Sequence, residues 1–461
     1  MLNPLIILAI GVAVVIGMIV VLRINAFLAL ITAAIVVSLL APGELSEKIS
    51  RVAVEFGRTA GKIGVVIALA AVIGRCLIDS GAADRIVRMF LRLLGEKRCA
   101  VSLMSSGFVL SIPVFFDTVF YLLLPLARSM HRRTGKSYVL LILTMGAGAS
   151  ITHSLVPPTP GPLLIAAELG IDLGIMISIG LLVAIPTAIV MLFFINQLAR
   201  RVEIPMRPLA SDIPEPEPLA DDKLPGLLWS LMPILLPVLL ISANTVAKTL
   251  ADRPDAGEAA TQALGITSVI GNANLAMLLA AAVAIVVLWR QRRPGKDELA
   301  RIIETSLMSG GVIILITSAG GAFGKMLETA QIGPAITKMM VGETAGQIGG
   351  MSMLFIAFFV AFLIKFAQGS STVSMIATSG MLAPLIVSKE VLGYHPVYIA
   401  TAIGFGAQCG NWMNDSGFWI FAKMSGLTEV ETLKTWTVTV SLLAVVGFLF
   451  SVLFANILPL V

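Results

Sequence analysis

The sequence predicts an all-α polytopic membrane protein, with about 11 transmembrane helices and two re-entrant hairpins arranged as an inverted-topology repeat. Three observations lead there. Of 461 residues, 57% are hydrophobic and 13% charged, and the mean hydropathy of +0.96 lies outside the range of soluble domains. Apolar stretches of roughly 20 residues, the length a helix needs to span a bilayer, recur from end to end. Two of these stretches carry polar, glycine- and proline-rich breaks, Thr152–Pro162 and Gly410–Gly417, and each is preceded by a second interruption, Pro113–Asp117 and Lys365–Thr372. Backbone freed from helix inside a bilayer is tolerated only where it faces protein or a water-filled cavity, so paired breaks mark two discontinuous helices around a transporter's binding site.

Composition also excludes alternatives. No region is left for a large soluble domain, and the net charge of +5 resides mostly in short loops, where it reports topology and not a nucleic-acid partner. Leu5–Val21 lacks the cationic lead and small-residue cleavage site of a signal peptide and is expected to remain as a first transmembrane helix. Cys76, Cys99 and Cys409 are too scattered to indicate a disulfide framework or a metal cluster. Without a Walker motif or dinucleotide fingerprint, no cofactor and no ATP-driven transport are expected.

Basic loops orient the spans. Arg85, Arg88, Arg92, Lys97 and Arg98 form one cluster, Arg128, Arg132, Arg133 and Lys136 a second, and Arg290, Arg292, Arg293 and Lys296 a third; all three are expected to be cytoplasmic. The first two flank Cys99–Ala127, about 29 residues, too short for two full spans yet bound to enter and leave on one side. An inner re-entrant hairpin over about 99–127 satisfies both constraints. The chain then crosses outward over about 137–169 through the first break, and Ile175–Leu198 returns. Residues 204–224, with Pro205, Pro208, Pro214, Pro216 and Pro218 among acidic residues, read as a cytoplasmic linker dividing the chain into repeats over 1–203 and 225–461.

In the second repeat Leu227–Leu250 goes out, Val269–Trp289 returns, and Leu307–Met326 goes out again. An outer hairpin follows over about 351–388, then a broken helix over about 397–423, and Trp436–Leu458 ends the chain outside. By the same logic the first repeat begins outside, with Arg23 at an inner turn. Landmarks keep step between the halves. Gly74-Arg75-Cys76-Leu77 answers Gly324-Lys325-Met326-Leu327 at an offset of 250, Asp117-Thr118-Val119 answers Ser371-Thr372-Val373 at 254, and Gly146-Ala147-Gly148-Ala149 answers Gly404-Phe405-Gly406-Ala407 at 258.

The breaks hold the residues that can carry chemistry. Asp117 lies among Phe115, Phe116 and Phe120 at the expected tip of the inner hairpin, where a carboxylate is costly unless paired, hydrated or protonated, which suits a proton carrier; it also fits an N-cap. His153 precedes a proline run and can bind an anion or accept a proton, or simply pack. Gly369-Ser370-Ser371-Thr372-Val373 joins hydroxyls to a helix start, where free amides and the positive end of the helix dipole attract anions, although such residues also serve as plain caps. Asn411, Asn414, Asp415 and Ser416 supply amides and a carboxylate for hydroxyls or a cation, and equally make ordinary turn chemistry. Arg75 and Lys325, at matching places in the two repeats, and Lys365 in the outer hairpin can balance a carboxylate of the protein or of a substrate, or can snorkel.

Together the motifs resemble those of the gluconate permease family, the gluconate:proton symporters that also include D-serine permeases, within the ion-transporter superfamily. The resemblance spans essentially the whole chain. It rests on Pro113-Val114-Phe115-Phe116-Asp117 with Leu124-Pro125, on Thr152-His153 with Pro157-Pro158-Thr159-Pro160-Gly161-Pro162, on Gly369-Ser370-Ser371-Thr372-Val373, and on Asn414-Asp415-Ser416-Gly417-Phe418-Trp419. It implies proton-coupled uptake of a small hydroxylated monocarboxylate across the inner membrane, by movement of a substrate-bearing core against a scaffold. Thr159 stands where the family commonly has histidine, and the acid at Asp117 is glutamate in many gluconate-type members.

On this basis the substrate carboxylate is expected between the two hairpin tips. The substrate set is Thr152, His153, Ser154, Ser370, Ser371 and Thr372, with Asn411 and Asn414 reading hydroxyls. Asp117, with Asp415 second, is the expected proton site. The expected partners are a small anionic substrate, protons and lipid, and homo-oligomerisation is left open. Sodium-coupled carboxylate or D-serine-type transport is the nearest rival; an intramembrane hydrolase or a channel is more remote, because neither Gly-x-Gly-Asp nor Gly-x-Ser-x-Gly surrounds the acids and hydroxyls.

Overall fold

In the computed structural model of the chain, residues 3–22, 24–207, 224–251, 257–331, 350–386, 392–413 and 415–460 are described, and every regular element among them is a helix. The first half runs α1 (Pro4–Ile16), α2 (Ala26–Leu40), α3 (Ser50–Asp79), α4 (Ala82–Leu94), α5 (Cys99–Leu110), α6 (Phe116–Thr134), α7 (Tyr138–Leu155), α8 (Pro160–Glu168) and α9 (Leu173–Arg201). The second half runs α10 (Leu227–Ala251), α11 (Glu258–Ile270), α12 (Ala273–Arg292), α13 (Lys296–Thr329), α14 (Gly350–Gln368), α15 (Ser371–Leu382), α16 (Val397–Gly406) and α17 (Ser416–Ser425). It closes with α18 (Glu429–Ile457), which carries a π-helical turn at Leu433–Thr437. Arg23 and Asn414 lie outside the described residues, as does most of the 204–224 linker.

Seven helical stretches among the described residues are long and apolar enough to cross a membrane: α3, the α7–α8 unit, α9, α10, α12, α13 and α18. Helices α1, α2, α14 and α16 are apolar but shorter. The structure extends the spans read from hydropathy. Helix α13 starts at Lys296 and not at Leu307, because Lys296, Glu298, Arg301 and Glu304 form helix well and Asp297 suits a first turn, while all fall outside an apolar stretch. Two further helices, α4 and α11, lie in segments to which no span was assigned; α4 buries Ala82, Ala83, Ile86 and Val87 and turns its arginines away.

The interruptions arise from local chemistry. Helix α7 is capped by Ser137, whose Oγ accepts from the Leu140 amide at 3.4 Å, and stops before Pro157-Pro158, which cannot continue it. Helix α8 restarts with Pro160 at its first position, where a missing N–H costs nothing. Pro113 ends the turn after α5. Gly410, at φ +71°, makes the left-handed turn that releases the chain after α16, and Asp415 caps α17 by accepting from the Gly417 amide at 2.6 Å.

Helix α7 is the centre of the molecule: every one of its residues but His153 is buried, and it packs on α5, α6, α9 and α16. Glycines set the closest approaches. A methyl group on Gly148 of α7 would lie 2.2 Å from the Met104 carbonyl oxygen of α5, and one on Gly406 of α16 would lie 2.2 Å from the Phe358 carbonyl oxygen of α14. Small residues let helix backbones meet in this way where no water is available to drive packing. The halves also interlock: α15 packs on α8, and α17 packs on α6.

Candidate functional site

The breaks meet around a cavity of about 300 Å³, at the small end of ligand sites. From the first half come Phe115, Phe116 and Asp117 at the start of α6, and Ser150 and His153 from α7. The second half supplies Ser370, Ser371 and Thr372 at the start of α15, and Gln408, Asn411, Asp415 and Gly417 from the second break. Ser309 and Ile313 of α13, Ile420 of α17 and Trp436 of α18 complete the wall. The first turns of α6, α15 and α17 all border this space, and each helix start offers amides without intrahelical partners and the positive end of its dipole.

Asp415 is the most heavily bonded acid of the site. Its Oδ1 accepts from the Gly417 amide, and its Oδ2 accepts from Asn411 Nδ2 at 2.5 Å and from the ammonium of Lys365. Lys365 is fully buried and also donates to the Gly369 carbonyl at 2.6 Å. Asp117 differs. Its carboxylate is exposed to the cavity and accepts from the Thr118 hydroxyl at 3.5 Å, so the apolar enclosure suggested by its neighbours in sequence is not present. His153 packs edge-on against Phe115, ring centroids 6.1 Å apart, within electrostatic reach of Asp117.

Seven of the expected residues therefore line one cavity: Asp117, His153, Ser370, Ser371, Thr372, Asn411 and Asp415. Thr152 and Ser154 do not. Both are buried behind the wall, where Thr152 donates to the Phe108 carbonyl at 2.8 Å and Ser154 to the Ser150 carbonyl at 3.0 Å, so their hydroxyl protons are engaged by the protein. Arg75 and Lys325 are also away from the cavity: each pairs with an acid of its own helix, Asp79 at 2.8 Å and Glu328 at 2.7 Å. Lys365 stands one contact behind the wall, on Asp415.

Four contributors were not singled out from sequence: Ser150, Ser309, Gln408 and Trp436. Ser150 donates to Gln408 Oε1 at 2.8 Å, and Gln408 Nε2 donates to Ser154, which ties the two breaks together. Gln408 had a signal, as the one amide in the run Gly404–Gly410 directly after the repeat landmark. Trp436 stacks on Phe421 at 4.5 Å and on Phe116 at 5.4 Å, but nothing local distinguishes it from a packing residue. His153 Nδ1, Asn411 Oδ1 and Trp436 Nε1 are buried and have no hydrogen-bond partner among the described residues.

Apolar helices, several of them long enough to span a membrane, gathered around a polar cavity are the architecture of a membrane transporter. The profile described as GntP family permease matches residues 3–457, and the chain belongs to that family. It is 32% identical over 426 residues to the "Low-affinity gluconate transporter" of Escherichia coli (strain K12), covering 92% of each chain. It is 34% identical over 449 residues to the "Gluconate permease" of Pseudomonas aeruginosa, covering 96% of each. The solved structure of Neisseria gonorrhoeae MtrF superposes with a TM-score of 0.67 at 14% identity over 97% of each chain, a likeness of fold. The protein is thus a multi-pass inner-membrane transporter and not an enzyme.

Proposed function

We propose that the protein is a secondary transporter that takes up gluconate or a related small sugar acid together with protons. The cavity between the two breaks carries this reading. Three helix starts border it, and the ammonium of Lys365 is engaged by Asp415, so helix-terminal amides and the hydroxyls of Ser371 and Thr372 are the groups we assign to a substrate carboxylate. Gln408 and Asn411 offer amides to the hydroxyl-bearing end. Two relatives above named for gluconate support the choice of substrate.

The architecture we assign follows the same symmetry. Helices α5–α6 and α14–α15 act as re-entrant hairpins, opening from opposite faces, and 1–203 and 225–461 form an inverted repeat. The 12 residues of α5 and of α15 favour this, since about 20 are needed to span. So do the matched approaches Gly148 on Met104 and Gly406 on Phe358, whose members differ by 258 and 254 in number, as the sequence landmarks do. Around such a fixed midplane site, rocking of one bundle against the other gives alternating access.

Proton binding is assigned to Asp117, whose carboxylate is open to the cavity beside His153. The test is uptake of labelled gluconate into proteoliposomes under an imposed pH gradient, acid on the entry side. Accumulation above equilibrium that collapses with a protonophore is expected; uptake indifferent to the gradient overturns proton coupling. Competition by other sugar acids, glycerate and D-serine then ranks the substrates.

A further inference from the structure

We propose that the ammonium of Lys365 occupies a ready-made monovalent-cation site, so that a positive charge fixed to the chain replaces a sodium ion and transport needs none. The inference rests on the transport function proposed above and specifies its cation. The two atoms that receive the ammonium are both oxygens. Asp415 Oδ2 and the Gly369 carbonyl receive the ammonium, while the buried Oδ1 of Asn411, whose own Nδ2 is bonded to the same carboxylate oxygen, has no partner among the described residues. Carboxylate, carbonyl and amide oxygens are the ligands of hard cations, and unwound backbone beside a broken helix is where transporters hold sodium.

The backbone is shaped for this arrangement. Gly369 sits at φ +90°, which a residue with a side chain rarely adopts. Its amide closes on the Lys365 carbonyl at 2.8 Å while its own carbonyl accepts from the Lys365 ammonium. Lys365 therefore links the tip of the α14–α15 pair to the second break, over 50 residues of sequence. The other titratable groups lining the cavity, Asp117 and His153, come from α6 and α7 and leave Asp415 as the acid that balances this ammonium. Removing the side chain leaves the Asp415 carboxylate and the Gly369 carbonyl beside the space vacated by the ammonium and its carbon stem, which a sodium ion with water fills.

The experiment compares wild type, Lys365→Ala and Lys365→Ala/Asp415→Ala, reconstituted for gluconate exchange and purified for thermal unfolding, in sodium chloride and in choline chloride of equal ionic strength. Wild type is expected to ignore the choice of salt in both measurements. Lys365→Ala is expected to lose exchange in choline and regain it in sodium, with its unfolding midpoint raised by sodium, because an ion that binds only the folded state stabilises it. The double variant, lacking the carboxylate, is expected to show no response to sodium. Sodium stimulation of the wild type overturns the proposal, as does a Lys365→Ala protein whose midpoint is the same in both salts or that cannot be recovered folded in either. Wild type that exchanges no sugar acid overturns the function alone, since the midpoints still report the cation site.

Discussion

Ser150 of α7 and Gln408 of the second break meet at 2.8 Å, hydroxyl to amide oxygen, in the wall of the cavity. Gln408 passes the contact on to Ser154, so one amide joins the two interrupted helices. Replacing Gln408 by leucine leaves Ser150 and Ser154 without their shared partner, a loss of about 1–3 kcal/mol for buried polar groups. We expect a lower unfolding midpoint in detergent and weaker gluconate binding, measured on the same preparation; an unchanged midpoint with unchanged affinity would remove Gln408 from both roles.

Asp117→Asn is expected to abolish gradient-driven accumulation while leaving exchange of substrate across the membrane intact, because an amide keeps the shape of the site but does not take up or release a proton near neutral pH. Counterflow and pH-driven uptake in proteoliposomes separate the two. Accumulation equal to wild type would move the proton site to another group, Asp415 being the next carboxylate of the cavity.

Gly148→Ala and Gly406→Ala each place a methyl group 2.2 Å from a carbonyl oxygen of the facing helix. A backbone oxygen cannot step aside as a flexible side chain can, so the helices must separate, at a cost of about 1–3 kcal/mol or more. Gly57→Ala is the control, with nothing within 4 Å of the added atom, and it is expected to be neutral or to stabilise by about 0.4–1 kcal/mol through the unfolded chain. Yield of monodisperse protein and unfolding midpoint should rank Gly57→Ala well above the other two.

Arg207 grips Glu431 with both guanidinium nitrogens at 2.6 Å and also donates to the Gly426 carbonyl at 2.9 Å, while its own carbonyl accepts from Arg128 at 3.0 Å. The hydrogen bonds to Glu431 hold the Arg207 guanidinium above its ordinary pKa. The arginine side chain is 39% exposed, so solvent screens the pair. Glu431→Gln is therefore expected to lower the unfolding midpoint only slightly, an effect that fades with added salt. Unfolding midpoints across a salt series would show it, and a large salt-independent loss would mean the contact is more enclosed than its exposure indicates.

Much of the fold was legible because its signals are local. Pro157-Pro158 ends α7 wherever it is placed, Pro160 can only begin α8, and Gly410 with Asp415 makes a turn and a cap, so the breaks fell where composition put them. Helix ends were less legible: the charged first turns of α13 carry no apolar signal. At the helix starts, Ser370, Ser371 and Thr372, which declare themselves by cap chemistry, line the cavity. Thr152 and Ser154 share that chemistry and still face away, because a hydroxyl on a helix can donate to its own turn or to a neighbour with equal ease.

By itself the sequence determined that the chain lies in a membrane, where its helices are interrupted, and that polar groups gather at the interruptions. Hydrophobicity and backbone sterics act over a few residues and need no partner to be read. Only the tertiary structure decided that Lys365 serves Asp415, that Gln408 bridges Ser150 and Ser154, and that Trp436 lines the cavity. Those outcomes depend on the rotation of each helix and on contacts between segments far apart in the chain, such as the 258 positions between Ser150 and Gln408. No local pattern carries that information, since the same side chain serves packing or site according to which way its helix is turned.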